Sequence, residues 1–491
     1  MRKIIRAAVS GMLALSMLAG LSACGRGAAE ESKESTAAAE STEETTTDAS
    51  QESSSESAEE ASSAAGKSTT VSYLAEYPET AKKVSSEDYI LESGLFDNDT
   101  YEQDSAAWQE IRMQQVEQAD GLSESLESFY ENIVSGSLSE TGGGNRICSP
   151  AGLYLSFAMV AEITDGNTRA ELLKVLGAED IADVRDISAR LFFSNYIDNG
   201  EMVSTLANSL WLNAEIPVSE DELKLLLENY YADVYSGDPE DGAFVESFKD
   251  WLKLRTGGML DGEVDKLEMS SDTAVTLATT VYFRAKWQYP FDSAATESGV
   301  FHGTKGDTTE DFLYQRTMDL YFYYDHFSAI RLPFSGGAYM WFILPDEGYT
   351  PEDIAADSQL SFLYDEDLYE SEHVSSADII MKIPKFDITT TTDEADVLKS
   401  LGVNDVFDMA ASDFSPLFPD KKGFYLSSVQ HTARVAIDEE GCTATAFTLE
   451  TLMGAMAPED TVEFTLDRPF MFAVTSPTGA LLFAGNVNNC E

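Results

Sequence analysis

Residues 145–177 read N-R-I-C-S-P-A-G-L-Y-L-S-F-A-M-V-A-E-I-T-D-G-N-T-R-A-E-L-L-K-V-L-G. Asn145 to Pro150 is a short strand that meets a proline, a residue that interrupts strands and opens helices. The stretch 151–163 is apolar on most faces, which predicts a deeply buried helix. D-G-N-T at 165–168 is a turn and cap before a further helix over 170–176. Towards the N-terminus, Leu122, Leu126, Phe129, Tyr130 and Ile133 recur at helical spacing and predict an amphipathic helix starting near Trp108. Towards the C-terminus, 339–344 and 470–474 alternate like strands. Helix-rich segments followed by strands predict an α+β body.

The same stretch begins a series of resemblances. S-P-A-G-L-Y-L-S-F-A-M-V with D-G-N-T-R-A-E-L-L-K-V-L-G resembles the opening helices of the serpins. A-N-S-L-W-L-N at 207–213 is similar to the family's A-N-x-L-x-x strand. W-L-K-L-R-T-G-G-M-L at 251–260 resembles its W-V-x-x-x-T-x-G-K-I segment, and V-Y-F-R-A-K-W at 281–287 with Pro290-Phe291 resembles Y-F-K-G-x-W-x-x-P-F. L-P-D at 344–346, I-P-K-F at 383–386, D-R-P-F at 467–470 and F-A-G-N-V at 483–487 continue it in the family's order. The series covers 107–490. The resemblance implies a serpin fold: three β-sheets with about nine helices, the largest sheet able to accept an extra strand, and an exposed reactive-centre loop.

Asp438 to Pro458 stands where the resemblance puts that loop: D-E-E-G-C-T-A-T-A-F-T-L-E-T-L-M-G-A-M-A-P. A strand, R-V-A-I-D, leads into a Glu-Glu-Gly corner and then small uncharged residues. Side chains alternate faces along a strand. One face would carry Cys442, Ala444, Ala446 and Thr448, and the other Thr443, Thr445 and Phe447. Glu439, Glu440, Gly441, Cys442, Thr443, Ala444, Thr445 and Ala446 resemble an inhibitory hinge, where proline or charge would mark a non-inhibitor. Glu450 falls on the inward face, a poor fit, because an unpaired carboxylate is costly to bury. By the family's count from Gly441, the scissile bond joins Ala455 to Met456, with Met453 and Gly454 as the alternatives. A small residue there suits an elastase-like pocket, and no Lys or Arg lies between Cys442 and Asp467 to suit a trypsin-like one. The segment from Met456 to Arg468 is about three residues longer than in familiar relatives. Ser149, Gly152, Thr279, Trp287 and His431 fall at the shutter and breach positions; Gly152 replaces the usual serine and Thr279 the usual asparagine. The resemblance thus implies a suicide-substrate inhibitor of serine proteases, with a non-inhibitory serpin-fold binding protein as the alternative.

Composition agrees. A net charge of −56 excludes ordinary nucleic-acid binding, which needs clustered Lys and Arg, and suits a soluble surface. The four histidines, His302, His326, His373 and His431, form no H-E-x-x-H, and no G-x-S-x-G or phosphate loop is present. No enzyme, cofactor or metal site is expected, and the body is expected to be a monomer. Among the four cysteines, Cys148 and Cys490 could pair only at disulfide distance.

The N-terminus reads as an address. Arg2, Lys3 and Arg6 precede an apolar run over 7–21 and then L-S-A-C, which resembles a bacterial lipobox with Cys24 as the lipidated residue. Residues 1–23 are expected to be a lipoprotein signal peptide. Residues 24–70, almost all Ser, Glu, Ala and Thr, are expected to form a disordered tether, spanning about 40 Å root-mean-square, on the outer face of a bacterial membrane. Residues 71–106 have no clear pattern, and 107–491 form the serpin domain.

Overall fold

The computed structural model describes residues 71–442 and 461–490, apart from 92, 94, 271, 272, 357 and 365–370. In chain order the helices are α1 (Asn98–Ala119), α2 (Leu122–Leu138), α3 (Pro150–Glu162), α4 (Gly166–Leu176), α5 (Ile181–Asn195), α6 (Glu220–Tyr230), α7 (Gly242–Arg255), α8 (Asp261–Val264), α9 (Pro351–Ala355) and α10 (Ala395–Ser400). The strands are β1 (Val71–Tyr73), β2 (Arg146–Cys148), β3 (Ile197–Asp198), β4 (Met202–Asn213), β5 (Ala232–Gly237), β6 (Val275–Lys286), β7 (Glu297–Gly303), β8 (Gly306–Tyr323) and β9 (Phe327–Pro333). They continue as β10 (Tyr339–Pro345), β11 (Val374–Pro384), β12 (Phe386–Asp393), β13 (Gln430–Ile437), β14 (Gly441–Cys442), β15 (Thr461–Thr465), β16 (Phe470–Thr475) and β17 (Leu481–Val487).

Local chemistry explains the elements that position the site. Ser149 caps α3, its Oγ accepting from Gly152 N, and Pro150 occupies the first turn, where no amide donor is needed. Every residue of α3 except Ser156 is buried, as its all-round apolar sequence requires. Its last residue, Glu162, is 1% exposed and is held by both Arg185 nitrogens (2.7 and 2.6 Å) and the Tyr230 hydroxyl (2.8 Å), so the buried charge is paired. The helix expected from Trp108 onward is two: Asp120-Gly121 breaks it, Gly121 adopting φ 71°, and α1 reaches back to Asn98.

The strands form three sheets among the described residues. The first runs β1-β5-β4-β6-β14, with β3 also on β4; the second runs β15-β11-β8-β9-β10-β16-β17-β2, with β7 on β8; the third is the pair β12-β13. The sheet expected to be largest, and to receive a strand, is therefore divided between the first and third sheets. The nine-stranded second sheet is larger. Among the described residues β6 and β13 do not pair with each other, and we call the place between their edges the slot. Helix α7 packs Phe244, Phe248, Trp251 and Leu252 over Ala207 and Trp211 of β4 on the outer face.

The described residues at the start of 71–106, a stretch without pattern in the sequence, are held by tertiary contacts. β1 extends the first sheet by antiparallel pairing with β5, Ser72 opposite Tyr235. Asp233 of β5, fully buried, accepts from Ala75 N (3.1 Å), Tyr77 Oη (2.9 Å), Trp251 Nε1 (3.0 Å) and Arg255 (3.1 Å). One buried carboxylate thus fastens the N-terminal segment, β5 and α7 together.

Candidate functional site

Chain direction reverses at the end of β13. Asp438 Oδ1 accepts from Glu440 N (2.9 Å) and Gly441 N (3.1 Å), and Asp438 N donates to Gly441 O (3.0 Å), closing a tight hairpin. The returning residues run antiparallel to β6, Gly441 opposite Lys286 and Cys442 opposite Ala285. Cys442 is 3% exposed, and burial pushes its thiol up to about 12, leaving it protonated and unreactive at neutral pH. Glycine is required at 441 by close approach: a Cβ would lie 2.3 Å from Ala285 O.

A dense set of bonds fixes this hairpin at the mouth of the slot. Trp287 N donates to Glu440 O (2.9 Å), Trp287 Nε1 to Asp438 O (2.9 Å), and Phe291 N to Glu439 O (2.8 Å). The Trp287 ring stacks on Phe334 at 4.5 Å. Glu439 binds Lys385 Nζ (3.0 and 3.2 Å) and accepts from Thr296 Oγ1 (2.9 Å). Burial works to raise the Glu439 pKa, but Lys385, a backbone amide and Thr296 outweigh it and hold the carboxyl below its ordinary value. Trp287, Glu439, Glu440, Gly441 and Cys442 therefore meet in one place.

The shutter residues meet differently. Ser149 N donates to His431 Nε2 (3.0 Å), joining α3 to β13. That bond needs a neutral ring with the proton on Nδ1, and burial lowers the His431 pKa; Glu394 opposes the shift and Arg146 adds to it. Gly152 has little room to be anything else: a Cβ would sit 3.0 Å from both Ser149 Oγ and Val281 Cγ2 of β6. Thr279 turns away from β13. Its Oγ1 donates to Asn208 Oδ1 on β4 (2.9 Å), and Asn208 Nδ2 donates to Tyr230 O (2.7 Å). The network is thus split, Ser149–His431 on one side of the slot and Thr279–Asn208 on the other. Among the described residues β13 pairs only with β12, and β6 only with β4 and β14.

Glu394 was missed by sequence reasoning. It is 1% exposed beside His431 and accepts from Ser137 Oγ (3.0 Å) and Thr392 Oγ1 (2.6 Å), with Arg146 3.6 Å away. Within T-T-D-E-A-D it has the look of a solvated residue, and no local signal distinguishes it.

Cys148, Cys442 and Cys490 are buried thiols, with no disulfide among the described residues. No cluster of metal-ligating side chains occurs among the described residues. Thr443, Ala444, Thr445, Ala446, Glu450, the bonds around Met453, Gly454, Ala455 and Met456, and Cys24 lie outside the described residues. The chain is described again from β15, parallel to β11 with Val462 opposite Ile379.

The hairpin thus lies between the Trp287–Lys385–Glu439 cluster and the Ser149–His431 bond. A family model described as "Serpin (serine protease inhibitor)" matches residues 124–490, and the chain belongs to that family. It is 29% identical to "Putative serpin-Z5" of Oryza sativa subsp. japonica over 70% of this chain and 84% of the relative. It is 27% identical to "Leukocyte elastase inhibitor" of Equus caballus over 70% of this chain and 93% of that protein. Among solved structures, Tengpin, a thermophilic serpin in the native state, superposes with a TM-score of 0.66 at 25% identity, covering 74% of this chain and 93% of that one. Thyroxine-binding globulin in complex with thyroxine gives 0.63 at 22% identity, covering 74% and 99%, and speaks for the fold alone.

Proposed function

We propose that the protein is an irreversible, single-use inhibitor of serine proteases that captures its target by inserting the cleaved loop between β6 and β13. The observation that carries this is the seated hairpin, with Cys442 buried opposite Ala285 and, among the described residues, no pairing between β6 and β13. Continued in that register, position 444 would meet Phe283 and Val435, position 446 would meet Val281 and Ala433, and position 448 would meet Thr279 and His431. Phe283, Val435 and Ala433 are buried, so the even positions face inward, where this sequence places Cys, Ala, Ala and Thr. Reactive-loop insertion by serpins is itself a standard instance of strand addition, driven by strain stored in the uninserted fold. A protease serine would attack the loop to form an acyl-enzyme, and insertion would carry the protease away before water releases it.

The target class follows from Ala455-Met456 as the reactive bond, which suits an elastase-like pocket, and the similarity to a leukocyte elastase inhibitor points the same way. The lipobox-like Cys24 and the polar segment after it support a position on the outer face of a membrane, lifted by a tether. Incubation with pancreatic or neutrophil elastase should give a complex stable to boiling in SDS, and mass spectrometry of the released C-terminal fragment should begin at Met456. Complete loop cleavage with full recovery of active protease would sink the inhibitor reading.

The split shutter favours a second reading, a non-inhibitory serpin-fold binding protein, since Thr279 bonds to β4 and not towards β13. Nicking the loop and remeasuring the melting temperature separates the two. A steep rise belongs to the inhibitor, an unchanged value to the binding protein.

A further inference from the structure

Helix α6 opens on S-E-D-E at 219–222, the signature of a reciprocal N-terminal cap. Only half of that cap forms. Ser219 Oγ accepts from Glu222 N (3.3 Å), but Ser219 N donates to Leu417 O (3.0 Å) and leaves the Glu222 carboxyl without its usual donor. Glu222 lies on the face of α6 that packs Leu223, Leu226 and Tyr230, and is 8% exposed. Its Oε1 is buried and has no hydrogen-bond partner among the described residues.

The groups around it are already engaged. The charged side chains facing Glu222 are Glu162 of α3, Arg169 of α4 and Arg185 of α5. Arg185 gives Nε and NH2 to Glu162, which also accepts from the hydroxyl of Tyr230 at the far end of α6. Arg169 caps the end of α3, donating to Ala161 O and Glu162 O (both 3.0 Å). β5, which also packs on α6, turns its one carboxylate, Asp233, to Tyr77, Trp251 and Arg255. Two arginines thus serve Glu162 and the end of α3, and neither bonds Glu222.

An ionised Glu222 is therefore a second buried carboxylate facing Glu162, with no donor for Oε1. The N-terminus of α6 favours negative charge, but the exposed Glu220 and Asp221 already supply it there. A protonated Glu222 carries no charge to oppose Glu162 and gains a hydroxyl donor. Burial, and after it Glu162, push the carboxyl up to about 7, while Arg169 and Arg185 pull the other way.

We infer that α6 is a proton-locked helix: it seats on α3 and α5 with Glu222 protonated and loosens when that proton leaves. Glu222 is a positioning residue, and Glu162 is the charge it answers to. The lock is independent of the inhibitor reading. It closes in acid: the seated helix keeps the proton up to about pH 7, and the loosened one releases it near the ordinary 4.5. Loosening gives up one proton, so it grows about tenfold per pH unit between those values and levels off above pH 7.

The test is amide hydrogen exchange of the full chain, read as protection of residues 220–230 after correction for the intrinsic pH dependence of exchange. Protection of α6 should fall about tenfold from pH 5 to pH 6.5 and level off above pH 7, while that of α7 stays constant. Glu222→Gln should remove the pH dependence from α6, and Glu220→Gln, at an exposed position of the same turn, should leave it intact. A merely structural role would change the level of protection in the Glu222 variant and not its pH profile. Should Glu222→Gln lower protection in α7 as well, Glu222→Met is read in its place. Protection of wild-type α6 that does not vary with pH, or a pH dependence that survives replacement of Glu222, overturns the proposal.

Discussion

The mouth of the slot and its middle are built from the same two strands, β6 and β13, yet are held in different ways. At the mouth, backbone groups of Asp438, Glu439 and Glu440 are bonded to Trp287 and Phe291, and an ion pair with Lys385 crosses to the I-P-K-F segment. In the middle, Ser149 holds His431 while Thr279 holds Asn208, and the two sides do not exchange a hydrogen bond among the described residues. On the proposed insertion, this difference would let a strand start in register at the mouth and then advance, with small side chains meeting the middle.

The largest expected effect tests the register. Ala444→Arg should abolish SDS-stable complex formation and turn the inhibitor into a substrate, because an inward guanidinium would be buried unpaired. Thr443→Arg, facing outward, should retain most inhibition. Equal loss in both variants would break the assigned faces.

Next in size, Gly441→Ala should unseat the hairpin, since its Cβ would collide with Ala285 O. A loss of about 2 kcal/mol is expected. The sharper readout is labelling of Cys442 by a thiol reagent, slow in the wild type and fast in the variant. Protection of Cys442 in the variant would contradict the close approach.

Acid should separate the two regions. His431 has a folded pKa below its ordinary 6.5, so the unfolded chain binds the extra proton, and stability falls as pH drops through about 6.5. Glu439 has a folded pKa below 4.5, so its contribution is present above that value and is lost only as pH falls through it. Acid should therefore loosen the middle first and the mouth second. His431→Gln should flatten the melting-temperature profile between pH 7 and 5.5, leaving the lower phase in place. An unaltered upper phase would assign it to other groups.

The smallest effect is expected from Lys385→Met. Both partners of its ion pair are partly exposed, so about 0.5–1 kcal/mol is expected at pH 7, shrinking below pH 4 as Glu439 protonates. A loss that persisted in acid would mean that Lys385 acts through packing.

Much of this was readable in the chain. The all-round apolar character of 151–163 dictated a buried α3, Ser149-Pro150 marked its start, and D-R-P-F and F-A-G-N-V fell on the start of β16 and within β17. The alternation after Gly441 predicts inward residues at 442, 444, 446 and 448, and Cys442, the only one of them described, is buried. Other features were hidden because their signal is not local. Residues 71–106 lack periodicity, and within them Ala75 and Tyr77 are held by Asp233, more than a hundred positions away. Glu394 sits among polar neighbours and Arg434 alternates with buried apolar ones, so both read as solvated until β2 and the α7–α8 turn are brought against them.

The sequence by itself determined the family, the order of helices and strands, and which loop residues are small enough to enter a sheet, because burial pattern and side-chain size are properties of the chain. Only the tertiary structure decided that the hairpin is seated at Gly441–Cys442, that the shutter is divided between two walls, and that Arg434 bonds the turn between α7 and α8. Those facts depend on groups far apart in the chain, and hydrogen bonds between such groups exist only once the core has packed and excluded water from between them.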